Sequence, residues 1–114
     1  MTTIYKICGR PEWRTAEREG KYRGSDVDAH DGFIHFSSAA QTVETAEKYF
    51  SGQWDLMLVA VDAAVLGAAL KWEPSRGGAL FPHLYGTMPL SAVRWAKPLP
   101  DENGGRRQFP ELEP

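Results

Sequence analysis

The sequence predicts an α+β domain: a small mixed, largely antiparallel β core of five or six strands, in one or two sheets, with two main helices. Three observations support this fold class. Residues 56–61 are apolar at every position, which is typical of a strand covered on both faces. The residues after Ser38 carry apolar side chains at helical spacing. Several shorter segments alternate apolar and polar residues, which is the period of a half-buried strand.

The composition is ordinary for a globular protein and excludes several classes of function. The 114 residues fit a single domain. With 13 basic and 15 acidic residues, the net charge of -2 gives no broad attraction to nucleic acid or to an anionic membrane. One cysteine cannot form an internal disulfide, and no apolar run is long enough to span a bilayer. We therefore expect a soluble cytoplasmic protein with neither nucleic-acid nor membrane partners.

The first third of the chain is expected to begin with a strand and a helix. Residues 4–8 alternate apolar and polar side chains and suit a short strand. Pro11 is favourable at a first helical position, and Gly20 is a usual helix end, so a helix is predicted between them. Residues 21–31 show neither a helical nor a strand period, and they are predicted to form a loop.

The middle of the chain is expected to hold one strand, the clearest helix and the central strand. Residues 33–37 alternate and are predicted to form a single strand. Ser38 followed three residues later by Gln41 has the form of a capping box, which begins a helix that ends at residues 51–52. Residues 56–61 then form the strand that is buried on both sides.

The last part of the chain returns to short strands. Asp62 can cap a brief helical turn before a strand at residues 70–73, and a further strand is predicted at residues 92–97. Prolines and glycines interrupt regular structure after that strand. We therefore expect a single α+β domain over residues 1–100, followed by a loose C-terminal tail over residues 101–114.

Residues 71–86 carry the polar groups that are most informative about function. Successive side chains in a strand point to opposite faces, so Lys71 and Glu73 should share one face of their strand. By the same rule His83 and Tyr85 should share one face of the next strand. Whatever this protein binds, we expect this segment to touch it.

The turn within this segment has the groups that an anion site needs. Arg76 offers a guanidinium group, and Gly77 and Gly78 let backbone amides approach a phosphate closely. Two glycines are also what a tight hairpin turn uses, so the signal is weak alone. Glu73 could act as a general base or hold a ribose hydroxyl, although an ion pair with Lys71 or Arg76 is the plainer alternative.

His35 is the first candidate for chemistry, because a histidine on the polar face of a strand titrates near neutrality and can bind phosphate, a hydroxyl or a metal. The structural alternative is a core histidine that is hydrogen-bonded beneath a helix. Ser37 follows on the same face, where it could bind a ligand or cap the next helix. A metal site built from His35, Glu73 and His83 matches no local ligand motif, so no metal is predicted.

Four sequence strings, taken in order, resemble a small bacterial family known as domain of unknown function 952. The resemblance spans nearly the entire chain and is specific in its motifs. The strings are DGFIHFS (residues 31–37), DLMLVAVD (residues 55–62), LKWEPSRGG (residues 70–78) and FPHLYG (residues 81–86).

This family resembles, by fold, the ADP-ribosyltransferases and the RNA 2'-phosphotransferases, which bind NAD in a cleft between two small sheets. The resemblance implies an ADP-ribosyltransferase-like fold with NAD or a related nucleotide as the molecule bound. It places Tyr5 and Lys6 on the first strand, where those enzymes hold the ribose. It makes Ser37 the nearest equivalent of their middle motif and leaves Glu73 as the candidate for their late glutamate.

Two functional hypotheses follow, and the sequence leaves open whether the protein is an enzyme. The first is a domain whose polar cleft binds a small anionic or nucleotide-like ligand without chemistry. The second is an ADP-ribosyltransferase-like enzyme, or another enzyme that processes NAD or ADP-ribose, with His35 and Glu73 as its catalytic residues. The ligand-binding residues predicted in either case are Ser37, Lys71, Arg76, His83 and Tyr85.

Overall fold

The computed structural model describes residues 2–101 and 107–114, and in this part of the chain the α+β class is confirmed. All strand pairs are antiparallel across the described residues. The helices are α1 (Arg10–Glu19), α2 (Asp26–Asp31), α3 (Ala39–Tyr49) and α4 (Ala63–Leu66). The strands are β1 (Thr3–Gly9), β2 (Lys21–Tyr22), β3 (Ile34–His35), β4 (Ser37–Ser38), β5 (Leu56–Asp62), β6 (Leu70–Ser75), β7 (Ala79–Leu84), β8 (Met88–Pro89) and β9 (Val93–Leu99).

The main sheet has the strand order β4-β1-β5-β9, with β1 and β5 in its centre. The side chains of Leu58, Val59, Ala60 and Val61 are fully buried, at 0 % exposure. Alternate residues of β5 enter apolar clusters on opposite faces of the sheet: Val59 and Val61 belong to one, Leu58 and Ala60 to the other. The prediction of a central strand covered on both sides is therefore confirmed.

A smaller sheet has the order β3-β7-β6, and the chain passes from it to the main sheet at Phe36. On one side of this residue, His35 of β3 pairs with His83 of β7, and on the other Ser37 of β4 pairs with Tyr5 of β1. Phe36 itself is buried, and its N–H donates to the carbonyl of Pro82. The prediction of one continuous strand here is wrong, because the segment belongs to two sheets.

The segment predicted as a loop, residues 21–31, contains β2 and α2 instead. The helix forms because Ser25 and Asp28 cap each other: the Ser25 hydroxyl accepts the Asp28 N–H, and the Asp28 carboxylate accepts the Ser25 N–H. The helix ends at Gly32, whose φ of 85° lies in the left-handed region that glycine adopts without strain. The sequence did not predict this helix because its capping box contains an aspartate, Asp28, where glutamate or glutamine is usual.

The described part of the C-terminal tail lies against the domain. The buried Arg107 donates to the carbonyl oxygens of Phe50 and Gln53, each at 2.7 Å, and Phe109 and Leu112 pack on the cluster that contains Leu58. The expectation of a loose tail is therefore wrong for residues 107–114. Residues 102–106, which belong to the same predicted tail, lie outside the described residues. The described residues also include no helix long and apolar enough to cross a bilayer.

Candidate functional site

A cleft of about 750 Å³ opens between β1, α2 and the end of α3. The predicted site residues His35, Ser37 and Arg76 line it. The others do not: Lys71, Glu73, His83 and Tyr85 belong to β6 and β7 or follow directly after β7, outside the lining of the cleft. The structure thus divides the predicted residues into two groups. His35 belongs to the first group, and His83, its partner residue on the neighbouring strand, belongs to the second.

One wall of the cleft holds a buried ion pair between Lys6 of β1 and Asp28 of α2. The Lys6 Nζ lies 2.8 Å from Asp28 Oδ2 and also donates to the His35 carbonyl at 2.9 Å. Lys6 is 7 % exposed and Asp28 is 3 % exposed. Asp28 accepts further hydrogen bonds from the backbone N–H groups of Ser25 and His35. Every charge in this wall therefore has a partner.

The balance of forces at Asp28 favours its ionised form. Burial alone would raise the pKa of Asp28, but the hydrogen bond from His35 and the charge of Lys6 outweigh it and hold that pKa well below its usual range. A buried ion pair seldom stabilises a fold more than apolar packing would, because both charges lose their hydration. Its position in the wall of a cleft makes it a candidate for function.

His35 lies between two carboxylates. Its Nδ1 is 2.6 Å from Asp28 Oδ1, and its Nε2 is 2.9 Å from Asp31 Oδ2. A neutral imidazole has a single N–H donor, so only the imidazolium form can donate to both oxygens. The pKa of Asp31 is lowered, first by a hydrogen bond from His30 and then by His35. Because both ring nitrogens are occupied, the arrangement suits charge stabilisation better than proton abstraction.

The lowered pKa of Asp28 predicts a loss of stability in acid. An unfolded aspartate has a pKa of about 3.9, so the stabilisation should be complete above about pH 5 and should fall as the pH drops through 4 towards the folded value. Chemical denaturation between about pH 6 and pH 3 measures this slope. The variant Asp28→Asn should show a shallower slope than wild type, and equal slopes would contradict the assignment.

Arg76 presents a guanidinium group to the cleft without a carboxylate partner among the described residues. Its Nη1 donates to Thr45 Oγ1 at 2.8 Å, and its Cζ lies 4.7 Å from the ring centre of Tyr49 and 4.0 Å from that of Phe81. Ser37 lies within hydrogen-bond distance of the same Thr45 hydroxyl, at 2.8 Å. The φ of Arg76 is 34°, which is strained for a residue with a side chain.

The rim of the cleft is apolar and open to solvent. Val27 is 64 % exposed, Tyr49 is 53 % exposed and Trp54 is 76 % exposed, and all three line the cleft. Aromatic rings that a fold leaves exposed beside a concave surface are typical of sites that bind a ring or an apolar group. No periodic pattern in the sequence would place Trp54 here, because this residue lies between α3 and β5.

The second group of predicted residues forms its own cluster on the small sheet. Glu73 Oε1 lies 2.8 Å from His83 Nδ1 and accepts the hydroxyl of Tyr85 at 2.7 Å. Phe33 stacks on His83 with ring centres 4.1 Å apart. Glu73 makes no ion pair with Lys71 or Arg76, so that alternative is wrong for the described residues. Nor do the described residues bring together three His, Cys, Asp or Glu side chains that could hold a metal ion.

The fold and the site define a class of protein: a small α+β domain with a charged cleft beside its main sheet and a separate carboxylate–imidazole cluster. The chain belongs to the family described as Protein of unknown function (DUF952), which matches residues 7–96. This confirms the family predicted from the sequence strings. No curated protein matches the chain.

Solved structures of protein CC0527 from Caulobacter crescentus share this fold. The crystal structure is 50 % identical in sequence with a TM-score of 0.89, and the match covers 94 % of each chain. The solution NMR structure is 51 % identical with a TM-score of 0.83, and the match covers 95 % of this chain and 93 % of that one. These structures support the fold, and the ADP-ribosyltransferase resemblance stays a prediction.

Proposed function

We propose that this protein binds a small nucleotide-like anion in the cleft, with the anionic group on Arg76 and a planar ring against Trp54. The observation that carries the proposal is Arg76: its guanidinium group lines the cleft, rests on two aromatic rings and forms no ion pair with a described carboxylate. A guanidinium group held in this way offers a fixed set of donors to phosphate or carboxylate oxygens.

The surroundings of Arg76 support an anion rather than a neutral ligand. Its side chain has five N–H donors, and one of them is used by Thr45. Tyr49 and Phe81 fix the plane of the group, so little side-chain entropy would be lost on binding. The strained φ of Arg76 also fits a residue that is held for function.

The rest of the cleft suits the other parts of a nucleotide. Trp54 and Tyr49 offer exposed rings on which a base can stack. Asp31 offers carboxylate oxygens that can accept hydrogen bonds from sugar hydroxyls, and His30 and then His35 lower the pKa of that carboxyl group. The ligand class that matches these groups is a mononucleotide or a molecule that contains one.

A second candidate function, processing of NAD or ADP-ribose, is favoured by one observation. Tyr5, Lys6 and Ser37, which the ADP-ribosyltransferase resemblance assigns to its site, all line the cleft. Glu73, the candidate for the late glutamate, does not line it. For that reason we place binding first, and NAD and ADP-ribose belong in the panel of test ligands.

Binding of AMP is expected to depend both on Arg76, which should hold the phosphate, and on Trp54, which should stack on the base. Arg76→Gln should weaken AMP binding roughly 10- to 100-fold, because a charge-assisted hydrogen bond is lost. Trp54→Ala should weaken AMP binding and leave ribose 5-phosphate binding unchanged, since only AMP carries a base. Isothermal titration with AMP, ribose 5-phosphate, inorganic phosphate, NAD and ADP-ribose measures these affinities.

Arg18→Gln is the matched control, because Arg18 is an exposed arginine outside the lining of the cleft. This variant should bind AMP as wild type does. If no nucleotide in the panel binds at millimolar concentration, or if Arg76→Gln binds AMP unchanged, the proposal is wrong. Binding of NAD followed by release of nicotinamide would favour the second candidate function.

A further inference from the structure

The cluster on the small sheet has the composition of an acid–base site, and it lies outside the lining of the cleft. Its members are Phe33, Glu73, His83 and Tyr85, which we call the Glu73–His83 cluster. His83 lies in the middle strand of the small sheet, paired with His35 on one side and Lys71 on the other. No member lines the cleft, so the cluster has to be explained separately.

Glu73 is held as a carboxylate that faces the imidazole. Its Oε1 accepts the Tyr85 hydroxyl at 2.7 Å and lies 2.8 Å from His83 Nδ1. The pKa of Glu73 is lowered, first by the hydrogen bond from Tyr85 and then by that from His83. An ionised carboxylate can only accept, so Nδ1 of His83 must carry the proton between them.

The other nitrogen of His83 is left for solvent or a substrate. In the neutral ring with a proton on Nδ1, Nε2 carries a lone pair. No hydrogen bond to Nε2 is present among the described residues. The His83 side chain is 6 % exposed, and Nε2 is not among the buried polar atoms without a partner, which in the described residues are Trp13 Nε1 and Tyr22 OH.

The ring is also fixed in orientation. Phe33 stacks on it at 4.1 Å with an angle of 29° between the planes, and the ring of His35 meets it edge-on at 5.5 Å. Phe33 contacts Tyr85 as well, with ring centres 5.3 Å apart. A histidine that is oriented by a carboxylate and stacked on a neighbouring ring has little freedom to turn away from a bound molecule.

We propose that His83 is a proton-accepting centre for a hydroxyl group of a small molecule that approaches the face of the small sheet carrying Phe33 and Tyr85. The proton leaves the hydroxyl oxygen and is taken up by Nε2. As the proton moves to Nε2, negative charge develops on the hydroxyl oxygen and makes it a nucleophile, and positive charge develops on His83, where it lies against Glu73. In this scheme Glu73 is a positioning residue, and the Tyr85 hydroxyl donates to the same carboxylate oxygen that faces His83.

The proton positions on the three histidines test this proposal directly. Long-range ¹H–¹⁵N correlation spectra of ¹⁵N-labelled protein distinguish the two neutral tautomers of each ring. In wild type, the neutral ring of His83 is expected to carry its proton on Nδ1. In Glu73→Ala the acceptor is gone, and the proton should redistribute between the two nitrogens. Tyr85→Phe leaves Glu73 in place and should keep the wild-type tautomer.

Reactivity with diethyl pyrocarbonate tests the availability of Nε2, with the exposed His30 as an internal reference. His83 should be acylated in the folded wild-type protein. Its rate relative to His30 should fall on the order of tenfold in Glu73→Gln, a variant that keeps the size of the side chain. A wild-type proton on Nε2, or an unreactive His83 in the folded protein, would overturn the proposal. Neither measurement involves the cleft, so either result is independent of AMP binding.

Discussion

Replacing Asp28 with alanine is expected to lower the free energy of unfolding by about 3–5 kcal/mol, because the buried charge of Lys6 would lose its partner. The same change removes the acceptor of the Ser25 and His35 backbone N–H groups, and with it the cap of α2. Guanidinium chloride denaturation measures the difference between the variant and wild type.

Two further variants separate the ion pair from the helix. Asp26→Ala changes an exposed carboxylate on the same helix and should cost less than about 1 kcal/mol. The double variant Lys6→Met with Asp28→Leu removes both charges and should be more stable than Asp28→Ala, because no unpaired charge remains. A loss below about 1 kcal/mol for Asp28→Ala itself would contradict the account of this wall.

Replacing Arg107 with alanine should cost about 2–3 kcal/mol, which is the range for hydrogen bonds that involve a charged group. Arg107 is 8 % exposed, and its guanidinium group donates to the carbonyls of Phe50, Gln53 and Pro100. The carbonyls of Phe50 and Gln53 lie just beyond the end of α3. A positive charge at this end of a helix also interacts favourably with the helix dipole. Thermal and denaturant unfolding both measure the loss.

The neighbouring Gln108→Ala serves as the control for Arg107, since Gln108 is exposed and lies in the same segment. It should change the free energy of unfolding by less than about 0.5 kcal/mol. If Arg107→Ala matches this control, residues 107–114 do not stabilise the domain through Arg107, and the tail is closer to the loose segment that the sequence predicted.

The elements that the sequence predicted well are those with a strong local signal. The apolar run of β5 indicates burial on both faces wherever it lies in a fold, and the Ser38–Gln41 pair begins α3 as its spacing predicts. Alternation also predicted that His83 and Tyr85 share a face of their segment, and both side chains contact Glu73. Each of these features is determined by the types and spacing of residues that are close together in the sequence.

The features that the sequence did not predict depend on how distant segments meet. Residues 33–37 alternate without a break, although the chain changes sheets at Phe36, because alternation is the same on both sides of the change. Ser37 and Arg76 meet at Thr45 of α3 rather than at His83, because α3 packs against β4 and β1 of the main sheet. Asp28 was missed because it lies in a short helix whose cap has an unusual residue.

The central claim is that the cleft binds a nucleotide-like anion between Arg76 and Trp54, and a ¹H–¹⁵N titration with AMP tests it most directly. We expect saturable shift changes at the Trp54 indole N–H, the Arg76 side chain and Thr45, which border the cleft. Residues of α4, which do not line the cleft, should not move. An absence of shifts at millimolar AMP, or shifts confined to residues outside the cleft, would contradict the claim.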